Sequence, residues 1–439
     1  MYIEKILPVL TCVLHVYFIS AKILKIHSTI MRLTKLLCKQ HMGRFIKSHW
    51  FMKCNQPVLE DGAEAVLKAR GIQVVDPTEF LNPKKNFERL TFPPPLEGFP
   101  VENDETHPNW HDFPCLMYED NDLLVEGVPQ GKVLVKTIQF EEEFPQRIES
   151  LFNQCPENIH HLVLRSLLSS NLFDAYQEKL PKLKDPARPA WNFPRSLGIT
   201  SVRKSFNLLH KLLQLCESIN GAEVAYERSL IDNGIVALSI EKDLDLIQFY
   251  LTVDMLMTST SPLQPFLKKA VNQELPDLYP LHHSISLRKT NIYEKKNFYP
   301  IDWNHSKPHI HTILINHDPV AVKNLTELPV DETQILARNM LKAFTAAASC
   351  AHKRFGSSVQ DLPEPIAVQC IETDGENFHF SIYQLNTLNI NGREGLMNYW
   401  WSSKRIRLFD GVDYCDGKPR LEGYNPEVFK RMYAFYINS

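Results

Sequence analysis

The sequence predicts an α+β fold: a composite body of mixed β-sheet, hairpins and packed helices, preceded by an extended N-terminal arm. Three observations lead there. Strand-like patterns occupy 123–140, 226–240, 310–315 and the hairpin 366–385, with apolar and polar residues alternating over 226–240. Apolar stripes at helical spacing occupy 148–168, 201–216 and 332–355. Between residues 77 and 116 stand eight prolines, which no helix or central strand accommodates.

The chain of 439 residues is 44% apolar and 23% charged, ordinary globular usage, so disorder throughout is excluded and a sizeable core is expected. A formal charge of −3 excludes a uniformly basic nucleic-acid binder. That balance hides a split. The first 59 residues hold nine cations and one acid, leaving 39 cations against 50 acids in the rest. Glycine is scarce, 16 against 29 prolines, which disfavours an enzyme built on glycine-rich phosphate loops. Nine scattered cysteines without a Cys-x-x-Cys read as small buried hydrophobes in a reducing compartment.

Residues 1–30 form an apolar extension in which Ile6–Ala21 is too short to span a bilayer and lacks a small-residue cleavage site. Residues 31–55 interleave Arg32, Lys35, Lys39, Arg44 and Lys47 with Leu33, Leu36, Leu37, Phe45 and Ile46, with no acid. This is mitochondrial presequence chemistry, a cationic amphipathic helix drawn to a negative membrane surface. Met31 is therefore the expected functional start. Residues 56–116 make the arm, whose Phe80, Phe87, Phe92, Phe99, Trp110 and Phe113 are expected to anchor it; residues 117–439 make the body.

Within the body, 123–140 reads as strand with a turn at Pro129–Gly131. Two helices follow, parted at Pro156, and a third starts near Ser201 and ends at Gly221. Asn233-Gly234 predicts a tight hairpin turn inside 226–240. Ile247, Phe249, Leu251 and Val253 fit a strand or a helix, and Ile310–Ile315 a strand. Helix 332–355 has Asp331 and Gln334 for a capping box, a buried stripe of Leu336, Met340, Phe344 and Ala348, and Gly356 as its stop. A hairpin then turns at Asp374-Gly375, with Phe378, Phe380 and Ile382 on one face.

No catalytic, cofactor-binding or metal-ligating residue is predicted. Gly127-Val-Pro-Gln-Gly131-Lys132-Val133 has one residue too few for a phosphate loop and lacks the magnesium-holding hydroxyl. His305, His309, His311 and His317 crowd one region, but no further ligand completes a zinc site, so polar surface or core histidines are expected. His160-His161 diverge on a helix, as do Cys350 and His352. One cationic patch survives: Lys404, Arg405 and Arg407 beside Trp400 and Trp401 form a candidate local RNA contact, against the plainer reading of a solvated face over core tryptophans.

The run Thr373-Asp374-Gly375-x-x-Phe378-His379-Phe380-x-x-x-Gln384-Leu385-Asn386-Thr387 resembles the C-terminal signature of the mitochondrial large ribosomal subunit protein thirty-seven family. Pro365-x-x-Val368-Gln369, Glu394-Gly395-x-x-Asn398, Trp401 and Pro426-Glu427-x-Phe429 agree, as do Leu124-Val125-Glu126-Gly127-x-Pro129 and Asn291-Ile292-Tyr293 upstream. The resemblance implies a non-catalytic structural component of the mitochondrial ribosome's large subunit, in the matrix, without cofactor, small-molecule substrate or stable membrane insertion. It implies as partners other large-subunit proteins, including a homologous sister protein, with ribosomal RNA touched locally. A body with excess acid fits mainly protein contacts. Two other readings compete: a matrix enzyme centred on His305–His317, and a membrane-anchored interaction protein using residues 6–21.

Overall fold

A computed structural model describes residues 46–52, 62–75, 104–141, 144–182, 185–268, 271, 273–324 and 328–439. The chain divides into two compact units, Met1–Gly98 and Phe99–Ser439. In the first, 46–52 and Ala63–Ala69 are helical, and neither buries a residue. The apolar extension 1–30, most of the presequence-like segment and residues 76–103 of the arm lie outside the described residues.

The second unit runs, in chain order, β1 (Trp110–Glu119), α1 (Val128–Leu134), β2 (Thr137–Glu141), α2 (Gln146–Phe152), α3 (His160–Leu172), β3 (Glu178–Lys179), β4 (Leu197–Gly198), α4 (Ser201–Asn220), α5 (Ala222–Glu227), β5 (Arg228–Lys242) and β6 (Asp245–Ser259). There follow β7 (Arg288–Ile292), β8 (His309–Asn316), α6 (Glu332–Phe355), β9 (Asp361–Thr373), β10 (Asn377–Thr387), β11 (Asn398–Ser402), β12 (Ile406–Arg407), β13 (Gly411–Cys415), β14 (Lys418–Glu422) and α7 (Pro426–Ile437).

Ten strands form one mixed sheet ordered β2-β11-β10-β9-β8-β6-β1-β7, with β12 beside β10 and β5 beside β6. Strand β6 organises it. One of its edges pairs with β5 from Arg228–Ser259 to Lys242–Asp245. The other is divided: Leu246–Tyr250 pair in parallel with β1, and Met255–Ser259 pair antiparallel with β8. Two cores result, one on each face. The first packs α6 and α1 on Val236, Leu238, Phe249, Ile313, Val368, Tyr383 and Trp400. The second packs α2, α3, α4 and α7 on Met255, Leu314, Ile371, Phe378, Phe380, Ile382 and Trp401. With both faces covered, β8 is buried from Ile310 to Asn316, its polar His311 and Thr312 included.

Several sequence expectations hold in detail. The capping box at Asp331 and Gln334 forms, α4 ends at Gly221, and α6 ends at Gly356. Residues 247–253 are strand, within β6.

Three expectations are corrected. The turn expected within 123–140 is the helix α1, because Pro129 occupies its first turn and two glycines let it lie against α6. A Cβ on Gly127 would stand 2.7 Å from the Thr333 carbonyl carbon, and one on Gly131 would stand 2.6 Å from Met340 Cε. Second, β5 runs straight through Asn233-Gly234, and the chain reverses instead at Asp243 and Leu244, both with positive φ (50° and 72°). Turning at Asn233 would have paired β5 with itself and left β6 unpaired on that edge, so register across fifteen residues outweighs the local turn preference. Third, strand β1 enters the proline-rich segment. Pro114 is tolerated because pairing with β7 lapses between Trp110 and Cys115, while pairing with β6 begins only at Cys115. Phe113, expected as an anchor, is 83% exposed.

Candidate functional site

Strand β11 delivers Trp400 and Trp401 to opposite faces of the sheet. Trp400 is buried in the first core, and Trp401 stacks on Phe140 at 5.2 Å in the second. Neither ring is open to a base. Arg405, half-buried, gives its Nη2 to Glu372 Oε1 at 2.9 Å and to Asp374 Oδ2 at 3.3 Å. Arg407 is more exposed and lies between Glu376 (3.4 Å) and Asp410 (3.6 Å), with its Nε donating to the Phe409 carbonyl. Lys404 is exposed at the rim of an open hollow of about 340 Å³ that Lys132, Glu141, Glu332 and Thr333 also line.

Behind this corner lies a set of charges under α6. Arg338 and Lys342 face the sheet, not water. Lys342 Nζ lies 2.9 Å from Asp120 Oδ1 and donates to the Thr252 carbonyl, while Arg338 Nε donates to the Asp120 carbonyl at 3.1 Å. Burial pulls the Lys342 ammonium down to about 8, reinforced by Arg338 and opposed by Asp120 and Asp254. Burial alone would raise the Asp120 carboxyl; Lys342 and the Thr252 N–H outweigh it and hold it below its ordinary range. Glu372 is fully buried, and burial pushes it up to about 7 against the pull of Arg405. The ordering of these groups is structural: they join α6, β9 and the turn after β11. No sequence signal marked Arg338 or Lys342, because a polar residue beside an apolar helical stripe ordinarily faces solvent.

The histidines separate. His309 meets the Trp303 ring edge-on at 5.0 Å. His311 is buried and bonds the Asn438 carbonyl at 2.7 Å, which joins β8 to the end of α7. His317 is buried near Arg338 and Arg405. Burial, with a nearby arginine adding to it, pushes His311 down to about 3 and His317 down to about 4. Among the described residues no group of three or more His, Cys, Asp or Glu could hold a metal ion. His160 Nδ1 lies 3.1 Å from the Tyr424 hydroxyl, and Cys350 is buried.

The residues of the C-terminal signature all have mechanical tasks. Asp374 Oδ1 accepts from the Glu376 and Asn377 N–H groups at 2.9 and 2.7 Å, and Gly375 (φ 100°) completes the turn against Ser205. Gln384 accepts from the Phe266 and Leu267 N–H groups at 2.8 and 3.0 Å and donates to the Leu267 carbonyl. Asn398 Oδ1 accepts from the Asn386 and Thr387 N–H groups at 2.8 and 3.0 Å. These side chains hold turns and strand junctions.

Comparison with known proteins agrees with that character. The chain is 26% identical to large ribosomal subunit protein mL37 of Rattus norvegicus over 352 residues, covering 75% of this chain and 77% of the relative. It is 24% identical to that of Gallus gallus (80% and 81%) and 25% identical to that of Bos taurus (80% and 79%). Over three quarters or more of its length the chain resembles mL37 proteins. A family model described as mitochondrial 28S ribosomal protein S30 (PDCD9) also matches, over residues 330–439. The two names point to different particles. The likeness to mL37 extends over three quarters or more of the chain, whereas the model takes in only α6 to α7. Asp374 thus closes the β9–β10 turn, Gln384 ties β10 to the loop at Phe266 and Leu267, and Asn398 joins β11 to β10.

Proposed function

We propose that this chain is a structural component of the large subunit of the mitochondrial ribosome. The carrying observation is the likeness to mL37 proteins across three quarters or more of both partners. It acts as scaffold and not as catalyst: the polar side chains of its C-terminal signature are committed to turns and strand junctions. Residues 31–55 serve as the import leader.

Its neighbours are mainly proteins, since the chain beyond residue 59 carries 39 cations against 50 acids and gains little from counterion release along RNA. A sister protein sharing the C-terminal part is one of them. The match of 330–439 to a model bearing another ribosomal protein's name supports such a relative. At the β11–β12 corner RNA is touched by Lys404 and the outward side of Arg407, with Arg405 turned to Glu372.

Sucrose-gradient sedimentation of detergent-solubilised mitochondria, probing this chain beside large-subunit RNA at moderate and high salt, tests the reading. Co-migration at both salts is expected. A peak at the top of the gradient would return the enzyme and membrane-anchor readings; among the described residues no helix is long and apolar enough to cross a membrane.

A further inference from the structure

Between α3 and α4 the chain leaves the body as an arm with a built root. Asp174 accepts from Arg203 Nε, from Arg203 Nη2 at 3.1 Å, from Asn207 Nδ2 at 2.8 Å and from the Tyr176 N–H at 3.0 Å. The Arg203 guanidinium also lies over the Tyr176 ring at 4.7 Å. Strands β3 and β4 then pair, Glu178 with Gly198 and Lys179 with Leu197, and the Leu180 N–H bonds the Ser196 carbonyl at 2.9 Å. Gly198 lies so close under Leu180 that a Cβ there would come within 2.7 Å of it.

Beyond this root the described residues from Pro181 to Leu197 are exposed, apart from Asp185 and Phe193, which are partly buried. Trp191 is 64% exposed, with its ring edge on Phe193. Residues 178–196 hold five cations and two acids, the reverse of the balance in the chain beyond residue 59. Lys179, Arg188 and Arg195 are exposed and make no ion pair with a described residue. Pro181, Pro186, Pro189 and Pro194 fix φ along the arm, which lowers the entropy lost when it is held by a partner.

We propose that this arm is a principal RNA contact of the protein, with Trp191 stacked on an unpaired base and Lys179, Arg188 and Arg195 set against phosphates of the same strand. The inference rests on the ribosomal reading and names its partner. Unpaired lysine and arginine around an exposed aromatic plane suit single-stranded RNA, whose loops offer phosphates and splayed bases together. A protein interface instead depletes lysine and pairs the charges that it buries. The contrast with the β11–β12 corner is direct. There, Arg405 and Arg407 are held by carboxylates and both tryptophans are buried, whereas here the cations and the ring are open to a ligand.

The test uses the purified full chain and a fluorescent 20-mer of uridine, titrated across a range of salt. Wild type should bind with an affinity that falls with salt. Replacing Lys179, Arg188 and Arg195 together by Ala should reduce the slope of log affinity against log salt by about 2, at roughly 0.7 per phosphate contact on single strands. Trp191→Ala should weaken binding by roughly tenfold with the slope kept, the loss expected for one base stack. No binding by wild type, or variants that bind like it, would overturn the proposal. Ultraviolet cross-linking in mitochondria then fixes the class of partner. Cross-links from Trp191 to RNA support the inference, and cross-links from the arm to protein alone overturn it. Sedimentation of the same chain is read separately, so an mL37-like particle lacking arm cross-links to RNA sinks this inference and leaves the ribosomal reading standing.

Discussion

At the scale of single residues, two features of the structure lead to measurable outcomes. The first is backbone space. Gly127 has φ 62° and abuts the Thr333 backbone, whereas the one close approach at Gly131 is to the flexible end of Met340. Gly127→Ala should therefore cost about 2–4 kcal/mol, from strain and overpacking together, and Gly131→Ala clearly less. Denaturant midpoints of the two variants check the order. The second is proton binding. His283, His311, His317 and His379 are buried, and burial holds them at about 3 to 4, well below the ordinary value of about 6.5. In the unfolded chain they take up protons as pH falls through 6.5, and in the folded chain they do not, so stability falls with acidification. For a fully buried one such as His379 the loss between pH 7 and pH 5 is about 2 kcal/mol. Glu372 acts oppositely: raised to about 7, its contribution is complete below the ordinary carboxylate range and is lost as pH rises through 7. Four histidines outweigh one glutamate, so the Tm should drop between pH 7 and pH 5, and His379→Asn should shrink that drop.

At the scale of elements, α6 carries the design. Its buried residues run from Gln334 to Ala351, and the small Ala343, Ala346, Ala347, Ala348 and Ala351 let it lie close to the sheet. The helix starts on the Asp331 cap, and Asp331→Ala should cost about 1 kcal/mol. Its charges are matched to the sheet. Asp120→Ala would leave Lys342 buried beside Arg338 and should cost about 3 kcal/mol. Lys342→Met, which removes the charge with its stem volume largely kept, should cost less. A thermal melt that ranks Lys342→Met below Asp120→Ala in stability would refute this account. The apolar stripe of α6 was legible in the sequence because Leu336, Met340, Phe344 and Ala348 keep helical spacing. Its polar burial was not, because Arg338 and Lys342 need partners from Asp120, just past β1, and from β6, over eighty residues away in the chain.

At the scale of the whole molecule, the sheet binds early and late segments into one unit. Strand β2 pairs with β11, β8 with β9, and α4 packs in the same core as α7. The region 330–439 that matches a family model by itself is therefore not a folding unit: alone it would lose β8 beside β9, β2 beside β11, and the share of the second core that α2, α3 and α4 supply. A 330–439 fragment should be protease-sensitive and aggregate, whereas a chain from residue 104 to 439 should resist limited proteolysis. Exposed apolar side chains such as Phe113, Leu230, Ile235 and Phe298 are compatible with a protein that is covered by neighbours in a particle.

The sequence by itself determined the α+β class, the helices α3, α4 and α6 with the stops of the last two, the hairpin at Asp374-Gly375 and the run of residues on which the mL37 resemblance rests. Each depends on local spacing, capping or turn chemistry, which neighbouring residues settle among themselves. The tertiary structure decided what long-range pairing controls. It placed the β5–β6 reversal at Asp243-Leu244 instead of Asn233-Gly234, because the ladder of β6 sets the register. It turned Arg405 and Lys342 inward, because carboxylates from distant strands wait there. It left Trp191, Arg188 and Arg195 exposed on a clamped arm, while Trp400 and Trp401, equally conspicuous in the sequence, went into the two cores. Burial is a property of what packs against a residue, and that partner is remote in the chain.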